Sequence, residues 1–323
     1  MIDPLIQWPD STPDDPRIYV PNIEFYITNV CNINCTNCNR YNNYDFAGWQ
    51  RWSDYEKSYE AWAEKIRIQK ITILGGEPLL NPDIVDWVRG LNRIWKKRVQ
   101  ILTNGTRLNQ VPGLYELMQE FKQPNEGPNW IGVSVHNINE LDRYFAEIRK
   151  FLKGSITEWH GKDAKDSHGG SATWGADYAF VDENDVHVHV WVYDSFYNVS
   201  VHRNQQGQLT LHNNDPQQAH DVCGMVKFKN YHFIQAKLYK CGPVALMPAF
   251  DQQHPLAISD DDRELLNSYR ALSVEDFESR GQEFLANIDQ VIPQCKFCPT
   301  KFVNQQLFAT SKLKNATTIF KQQ

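Results

Sequence analysis

No apolar run in this 323-residue chain is long enough to span a bilayer. The first residues, Met1-Ile-Asp-Pro-Leu-Ile-Gln-Trp-Pro9, have neither the basic start nor the apolar stretch of a secretory signal. An excess of positive charge is missing too, since the formal net charge is −6. Binding a nucleic-acid backbone needs clustered Lys and Arg, so no nucleic-acid partner is expected. The one basic stretch is the last 23 residues, with Lys301, Lys312, Lys314, Lys321 and no acid. Internal repeats and low-complexity tracts are absent. The seven cysteines are an odd number and do not form a disulfide framework. These absences leave a cytoplasmic globular protein without a membrane segment. Its 41% hydrophobic content suffices for one large domain, or a large and a small one.

What the chain does have is three cysteines in one short stretch, Cys31-Asn-Ile-Asn-Cys35-Thr-Asn-Cys38. They sit on a loop directly after the strand-like run Ile23 to Val30. Three thiolates this close suit a metal centre, and three is one short of a closed tetrahedral or cubane site. The spacing taken alone also suits part of a zinc site. A second motif, Gly75-Gly76-Glu77-Pro78, ends the apolar run Ile71 to Leu74. The other four cysteines, Cys223, Cys241, Cys295 and Cys298, fall in the last third, and Cys295-Lys-Phe-Cys298 has ligand spacing. Four thiols make a closed site for zinc or for an iron–sulfur cluster.

Strand-like and helix-like segments alternate, the pattern of an α/β fold with a parallel sheet. After Ile23 to Val30, a helix is expected from about Ser53, with Ser53-Asp-Tyr-Glu56 as a capping box and Tyr55, Tyr59, Trp62 and Ile66 as its buried stripe. A strand follows at Lys70 to Leu74. Asn81 and Pro82 then suit the start of a helix whose apolar face is Ile84, Trp87, Val88, Leu91 and Trp95. Further strands are expected at Val99 to Leu102 and Ile131 to Val135, and a further helix from about Leu141 to Leu152. Residues 154–185, with Gly169-Gly170 at their centre, suggest a long loop or insertion. Val186 to Tyr193 suggests a strand with His187 and His189 on one face. Right-handed crossovers would curl such a series into an open or partial barrel.

The paired motifs resemble those of the radical S-adenosylmethionine (SAM) enzymes. The resemblance implies a partial (β/α)6 TIM-like barrel with its cavity at the C-terminal strand ends. It implies that Cys31, Cys35 and Cys38 hold a [4Fe–4S] cluster whose open iron is chelated by SAM, with Gly75, Gly76, Glu77 and Pro78 meeting the methionyl amino group. Reductive cleavage of SAM would give a 5′-deoxyadenosyl radical that abstracts a substrate hydrogen. Where the family often has an aromatic residue before the last Cys, this chain has Asn37. By the same resemblance Asn104, in Thr103-Asn104-Gly105, and Ser134 contact SAM, with His136 nearby at a strand end.

The order of the last four cysteines, one Cys, a hairpin ending at Cys241, a helical spacer that Ser273 caps, then C-x2-C, resembles the Twitch domain, a half-length SPASM relative. In layout it is similar to 2-deoxy-scyllo-inosamine dehydrogenase, although the hairpin has Ala236 where Gly is usual. An auxiliary [4Fe–4S] cluster on Cys223, Cys241, Cys295 and Cys298 is implied. The expected limits are an N-terminal extension (1–22), the barrel (23–220), the auxiliary-cluster domain (221–300) and a tail (301–323).

A closed second cluster suits electron transfer, so the first expectation is an oxidoreductase acting on a small polar substrate. A flavodoxin- or ferredoxin-like protein would be the electron donor. No substrate base stands out; His187, His189 and His136 are the candidates, and His202, Arg203, His212 and Asp215-Pro216 lie in a polar stretch before Cys223. Two rivals are kept. One is a peptide- or protein-modifying maturase, for which the 22 residues before the first strand are short of a leader-binding domain. The other is a zinc-stabilised, non-catalytic binding protein.

Overall fold

The alternation of strands and helices is present in the computed structural model, which describes residues 15–301 and 304–306, apart from 36, 37, 45, 47, 125, 161–177, 193, 194, 198 and 228. Asn37, Gly169-Gly170 and most of the expected tail therefore lie outside the described residues. The strands are β1 (Ile18–Tyr26), β2 (Ile66–Leu74), β3 (Val99–Thr103), β4 (Trp130–Val135), β5 (Ile156–His160), β6 (Tyr178–Asp182), β7 (His187–Val192), β8 (Ser195–Tyr197), β9 (Val201–Arg203), β10 (Leu209–Leu211), β11 (Asn230–Ile234), β12 (Lys237–Tyr239) and β13 (Asn304–Gln306). The helices are α1 (Trp52–Ala63), α2 (Ile84–Trp95), α3 (Leu114–Glu120), α4 (Leu141–Phe151), α5 (Pro216–Asp221), α6 (Gly224–Lys227), α7 (Gly242–Gln253), α8 (Asp260–Asn267) and α9 (Gln282–Asn287).

Nine strands make one mixed sheet in the order β12-β11-β1-β2-β3-β4-β7-β6-β5. From β11 to β7 all neighbours are parallel. β12, β6 and β5 are antiparallel at the margins. Side chains alternate across a strand, and here the two faces differ in chemistry. Ile23, Phe25, Ile71, Ile73, Val99, Ile101, Ile131, Val133, Val188 and Val190 are buried in one cluster with Trp62, Trp87, Leu91, Leu117 and Ile148 from α1 to α4. Each such fully buried side chain contributes roughly 1.5–3 kcal/mol. The opposite face carries Glu24, Thr72 and Gln100, all buried, and His189, half-buried. A second apolar cluster joins Tyr26 and Leu74 to Tyr41, Leu246, Phe250 and Phe297 of the later chain.

Several boundaries differ from the sequence expectation. β1 starts and ends earlier than Ile23–Val30. Pro21 has no amide to donate and disguises the strand's start, yet Val20 and Asn22 on either side pair with Ile68 and Lys70 of β2. Ser53 is not a cap, because it lies inside α1; the first amide, Trp52 N, donates instead to Asp83 Oδ2 at 3.1 Å. Asn81 likewise precedes α2 without capping it: its Oδ1 accepts from Asp83 N at 2.9 Å, and its Nδ2 donates to Ile27 O and Gln50 O at 2.9 and 3.0 Å. Ile66 belongs to β2, not to the α1 stripe. α3, to which no sequence boundary was given, stands between β3 and β4. The expected loop 154–185 is partly regular, since β5 and β6 pair antiparallel at the sheet's edge.

The C-terminal hairpin is present and joins the main sheet. β11 runs parallel to β1 with Glu24 opposite His232 and Phe25 opposite Phe233, so the sheet continues across residue 220. The hairpin turn is Gln235-Ala236, with φ of 51° and 53°. A tight turn between two strands needs this left-handed backbone, which costs Ala roughly 1–2 kcal/mol. Neighbours hold it in place: Trp62 Nε1 donates to Ala236 O at 2.8 Å, and Gln235 N donates to Gln50 Oε1 at 2.9 Å.

Candidate functional site

The two glycines of Gly75-Gly76-Glu77 have a packing reason. Where β1 ends, Thr28 to Val30 run beside the end of β2. Gly76 N donates to Thr28 O and Glu77 N to Val30 O, both at 2.7 Å. A Cβ on Gly75 would stand 2.4 Å from Thr28 O, and one on Gly76 would stand 2.3 Å from Val30 O. These glycines therefore permit backbone contact with the chain that enters the cysteine loop. Beyond that contact, Cys31 and Cys38 pack against buried Cys35 and Ile33.

Glu77 is fully buried. Its carboxylate accepts from Thr103 Oγ1 (2.6 Å), Asn104 N (2.7 Å) and Leu79 N (3.0 Å). Burial pushes it up to about 7, against the pull of those three donors. The side chain thus ties the end of β2 to the end of β3. Pro78 is buried and opens a short 3-10 turn, Pro78–Leu80, with Glu77 as its cap. Asn104 continues the connection. Its Nδ2 lies 3.8 Å from Cys31 Sγ and 2.9 Å from Asn32 Oδ1, and its Oδ1 accepts from Thr106 Oγ1 at 2.6 Å. Asn104 is therefore a partner of the cysteine loop, and N–H groups aimed at ligand sulfur tune iron–sulfur potentials.

The other sequence candidates are spread more widely. Ser134 is half-buried near the C-terminal end of β4, opposite Trp191, and His136 follows that strand. His187 opens β7 and pairs across from Trp130, which opens β4. It is thus at the other end of the strands from the cysteine loop, and it bonds Asp185 Oδ1 at 2.6 Å. His189 lies mid-strand with its ring 4.8 Å from Trp130. Burial, then His187 and Arg98, push it down to about 4. Stability is therefore expected to fall as pH drops from about 6.5 toward 4, because the unfolded ring takes a proton the folded ring refuses. His189→Gln should flatten that slope in urea unfolding; an unchanged slope would assign it to another group. Lys70, nearby on this face, is exposed, and the surrounding protein pushes its ammonium down against the pull of Glu24.

The four later cysteines lie on separate elements. Cys223 lies between α5 and α6, Cys241 caps α7, and Cys295 and Cys298 flank the end of the 3-10 turn Pro293–Phe297. Burial, then Cys298, Cys223 and Cys295, push the Cys241 thiol well above its ordinary value. Burial, with Cys223 and Cys295 adding, pushes Cys298 up to about 12 against the Ser200 hydroxyl, which lies 3.4 Å from its sulfur. Lys240, nine-tenths buried, donates to Ile288 O at 2.9 Å beside them. Ser273 Oγ accepts from Asp276 N at 3.3 Å before the spacer helix, and Asp215 caps α5 through Gln218 N at 2.9 Å. His202 and His212 stack 4.4 Å apart.

One group went unnoticed in the sequence. Glu24, Arg40 and His232 are buried together on the polar face of the sheet. Glu24 Oε2 lies 2.9 Å from Arg40 Nη2 and 2.6 Å from His232 Nε2. Burial alone would raise Glu24, but His232, Arg40 and Lys70 outweigh it and hold the carboxyl at about 2. Only the register of β1 against β11 brings positions 24 and 232 side by side.

Among the described residues no group of three or more His, Cys, Asp or Glu side chains is arranged around a single ion. The three thiols of the first set pack together on one loop, and thiolates are the ligands that hold a cubane cluster.

Residues 25–160 match the family model of the Radical SAM superfamily. That segment contains Cys31, Cys35, Cys38, Gly75–Pro78, Asn104 and Ser134. Among curated proteins the chain is similar to a "Probable GTP 3',8-cyclase" of Methanothermobacter thermautotrophicus, 37% identical over 28% of this chain and 29% of that protein. A protein of the same name from Pyrococcus abyssi is 31% identical over 37% of this chain and 36% of its own length. The chain thus spans about a third of the length of the curated relatives it matches. Among solved structures it is similar to Streptococcus suis SuiB bound to S-adenosylmethionine, at 16% identity and a TM-score of 0.33 over 43% of this chain and 35% of that one. It is also similar to native anSMEcpe with bound AdoMet and Cp18Cys peptide, at 16% identity and a TM-score of 0.29 over 42% and 41%. Among the described residues no helix is long and apolar enough to cross a membrane.

Proposed function

We propose that the chain is a radical SAM oxidoreductase with two [4Fe–4S] clusters, built as a partial (β/α)6 barrel carrying a Twitch-like auxiliary-cluster region. The observation that carries this reading is the contrast between two thiol sets. Three cysteines share one loop braced by Gly75-Gly76-Glu77, and four others lie on separate elements of the last third. Bound at the first set, a [4Fe–4S] cluster supplies the electron that splits SAM into methionine and a hydrogen-abstracting 5′-deoxyadenosyl radical.

The chain's own residues have the following roles. Cys31, Cys35 and Cys38 ligate three irons. The backbone at Gly75–Glu77 receives the methionyl amino group, and Asn104 orients the cysteine loop. Cys223, Cys241, Cys295 and Cys298 would hold the second cluster, which would supply an acceptor for the one electron left after substrate has lost a hydrogen atom and a proton. Substrate lies on the polar face of the sheet between Glu24, Lys70 and the C-terminal strand ends. The chemistry of that face suits a small polar molecule. A low-potential flavodoxin- or ferredoxin-like protein is the electron donor. The curated relatives share a segment of the chain, so the reaction type is read from the second cysteine set rather than from their name.

The test is anaerobic reconstitution of the full chain followed by metal and product analysis. About eight irons with matching sulfide, and 5′-deoxyadenosine formed under reducing conditions, are expected for two cubanes. Zinc near stoichiometry with no SAM cleavage would overturn the reading in favour of a zinc-stabilised binding protein.

A further inference from the structure

The group formed by Glu24, Arg40 and His232 stands where the two cysteine sets approach each other. Arg40 follows Cys38 closely in the first loop. Gly242 directly follows Cys241 of the second set. A Cβ on Gly242 would be 1.9 Å from Arg40 Nη1 and 3.1 Å from His232 Nε2, so the guanidinium fills the space a side chain there would need. Two buried tyrosines repeat the pattern. Burial pushes the Tyr26 hydroxyl up, Cys38 and Cys31 add to it, and Arg40 opposes them. Burial does the same to Tyr41, with Cys298 and Cys241 adding and Arg40 again opposing. Arg40 thus stands two residues after Cys38 of the first set and packs against Gly242, the residue next to Cys241 of the second.

Arg40 is nine-tenths buried, and it spends only part of its donor capacity on Glu24. Its Nη1 is buried and has no hydrogen-bond partner among the described residues. A buried donor without a partner is costly, so an acceptor on that side would be well received. The sulfur of a loaded cluster is such an acceptor. A positive charge near an iron–sulfur cluster favours its more negative, reduced state and raises the potential. Glu24 acts against it by neutralising part of that charge.

We propose that Arg40 is the positive charge shared by the two clusters, and that the Glu24 carboxylate sets how strongly both feel it. Arg40 is on this view a positioning and tuning residue, without contact to substrate. The inference rests on the two-cluster reading given above.

Redox titration of the reconstituted full chain, followed by electron paramagnetic resonance, tests it. Glu24→Gln keeps the shape and an acceptor for Arg40 while exposing the positive charge, so both midpoint potentials should rise. Arg40→Met should lower both, Arg40→Lys should stay close to wild type, and the double variant Glu24→Gln/Arg40→Met should return toward wild type. Removing one partner of a buried pair is strongly destabilising. If Arg40→Met does not hold iron, Glu24→Gln carries the test alone. Unchanged potentials in Glu24→Gln, or shifts of the same sign in both single variants, would overturn the proposal. A wild-type chain that binds only about four irons would instead overturn the two-cluster reading, and iron counting separates these failures.

Discussion

Gly76→Ala is expected to leave a folded chain that holds little iron at its first site and makes almost no 5′-deoxyadenosine. The new methyl would lie 2.3 Å from Val30 O and 2.6 Å from Val30 C. Both are backbone atoms, so no rotamer change relieves the clash. The two 2.7 Å hydrogen bonds from Gly76 N and Glu77 N must lengthen, and the segment leading to Cys31 must move. Overpacking of this kind costs about 1–3 kcal/mol, well below the roughly 5–15 kcal/mol that holds a domain together. The loss should therefore appear as a displaced cysteine loop rather than as unfolding. Gly113→Ala is a useful control. A Cβ there meets nothing within 4 Å, but φ is +74°, so Ala pays a backbone cost of similar size far from the thiols. Iron content and SAM cleavage should drop in the first variant and persist in the second. Equal iron in both would show that the loop tolerates the displacement.

The second large effect is expected from Cys241→Ala. Cys241 directly precedes α7 and Gly242, the residue whose missing Cβ makes room for Arg40. On the two-cluster reading its removal takes one of four ligands from the second site. Iron should fall by about half, as expected for loss of one of two cubanes. Reductive cleavage of SAM should continue, while oxidation of substrate stops. That split between two activities is the signature of a cluster that receives an electron. Loss of both together would mean that Cys241 supports the first site structurally.

How much of this was legible in the sequence depended on whether a residue's role was local. The apolar face of α2, Ile84, Trp87, Val88, Leu91 and Trp95, is readable from helical spacing, and all five are buried. The cysteine triplet and Gly75-Gly76-Glu77-Pro78 are readable as motifs. The reason for the glycines is not, because it lies in the carbonyls of Thr28 and Val30, far back along the chain. Nor is the role of the Glu77 carboxylate, which is engaged by Thr103, Asn104 and Leu79. His187 and His189 were correctly set on one face. Strand direction, which a single sequence does not state, puts His187 at the far end. Arg40, Glu24 and His232 are ordinary polar residues in a linear reading, and only sheet register makes them a group.

The pairing of β1 with β11 also has a temporal meaning. Asn22 and Asn230, opposite each other in the ladder, are 208 residues apart in the chain. At the usual 5–20 residues per second of synthesis, roughly 10–40 s separate their appearance. Through that interval one edge of β1 has no partner. The first three cysteines have emerged by then, while Gly242, the neighbour that encloses Arg40, has yet to be made. A growing chain therefore offers its first thiols to the assembly machinery before the later region can shut them in. Closure waits for the last strands.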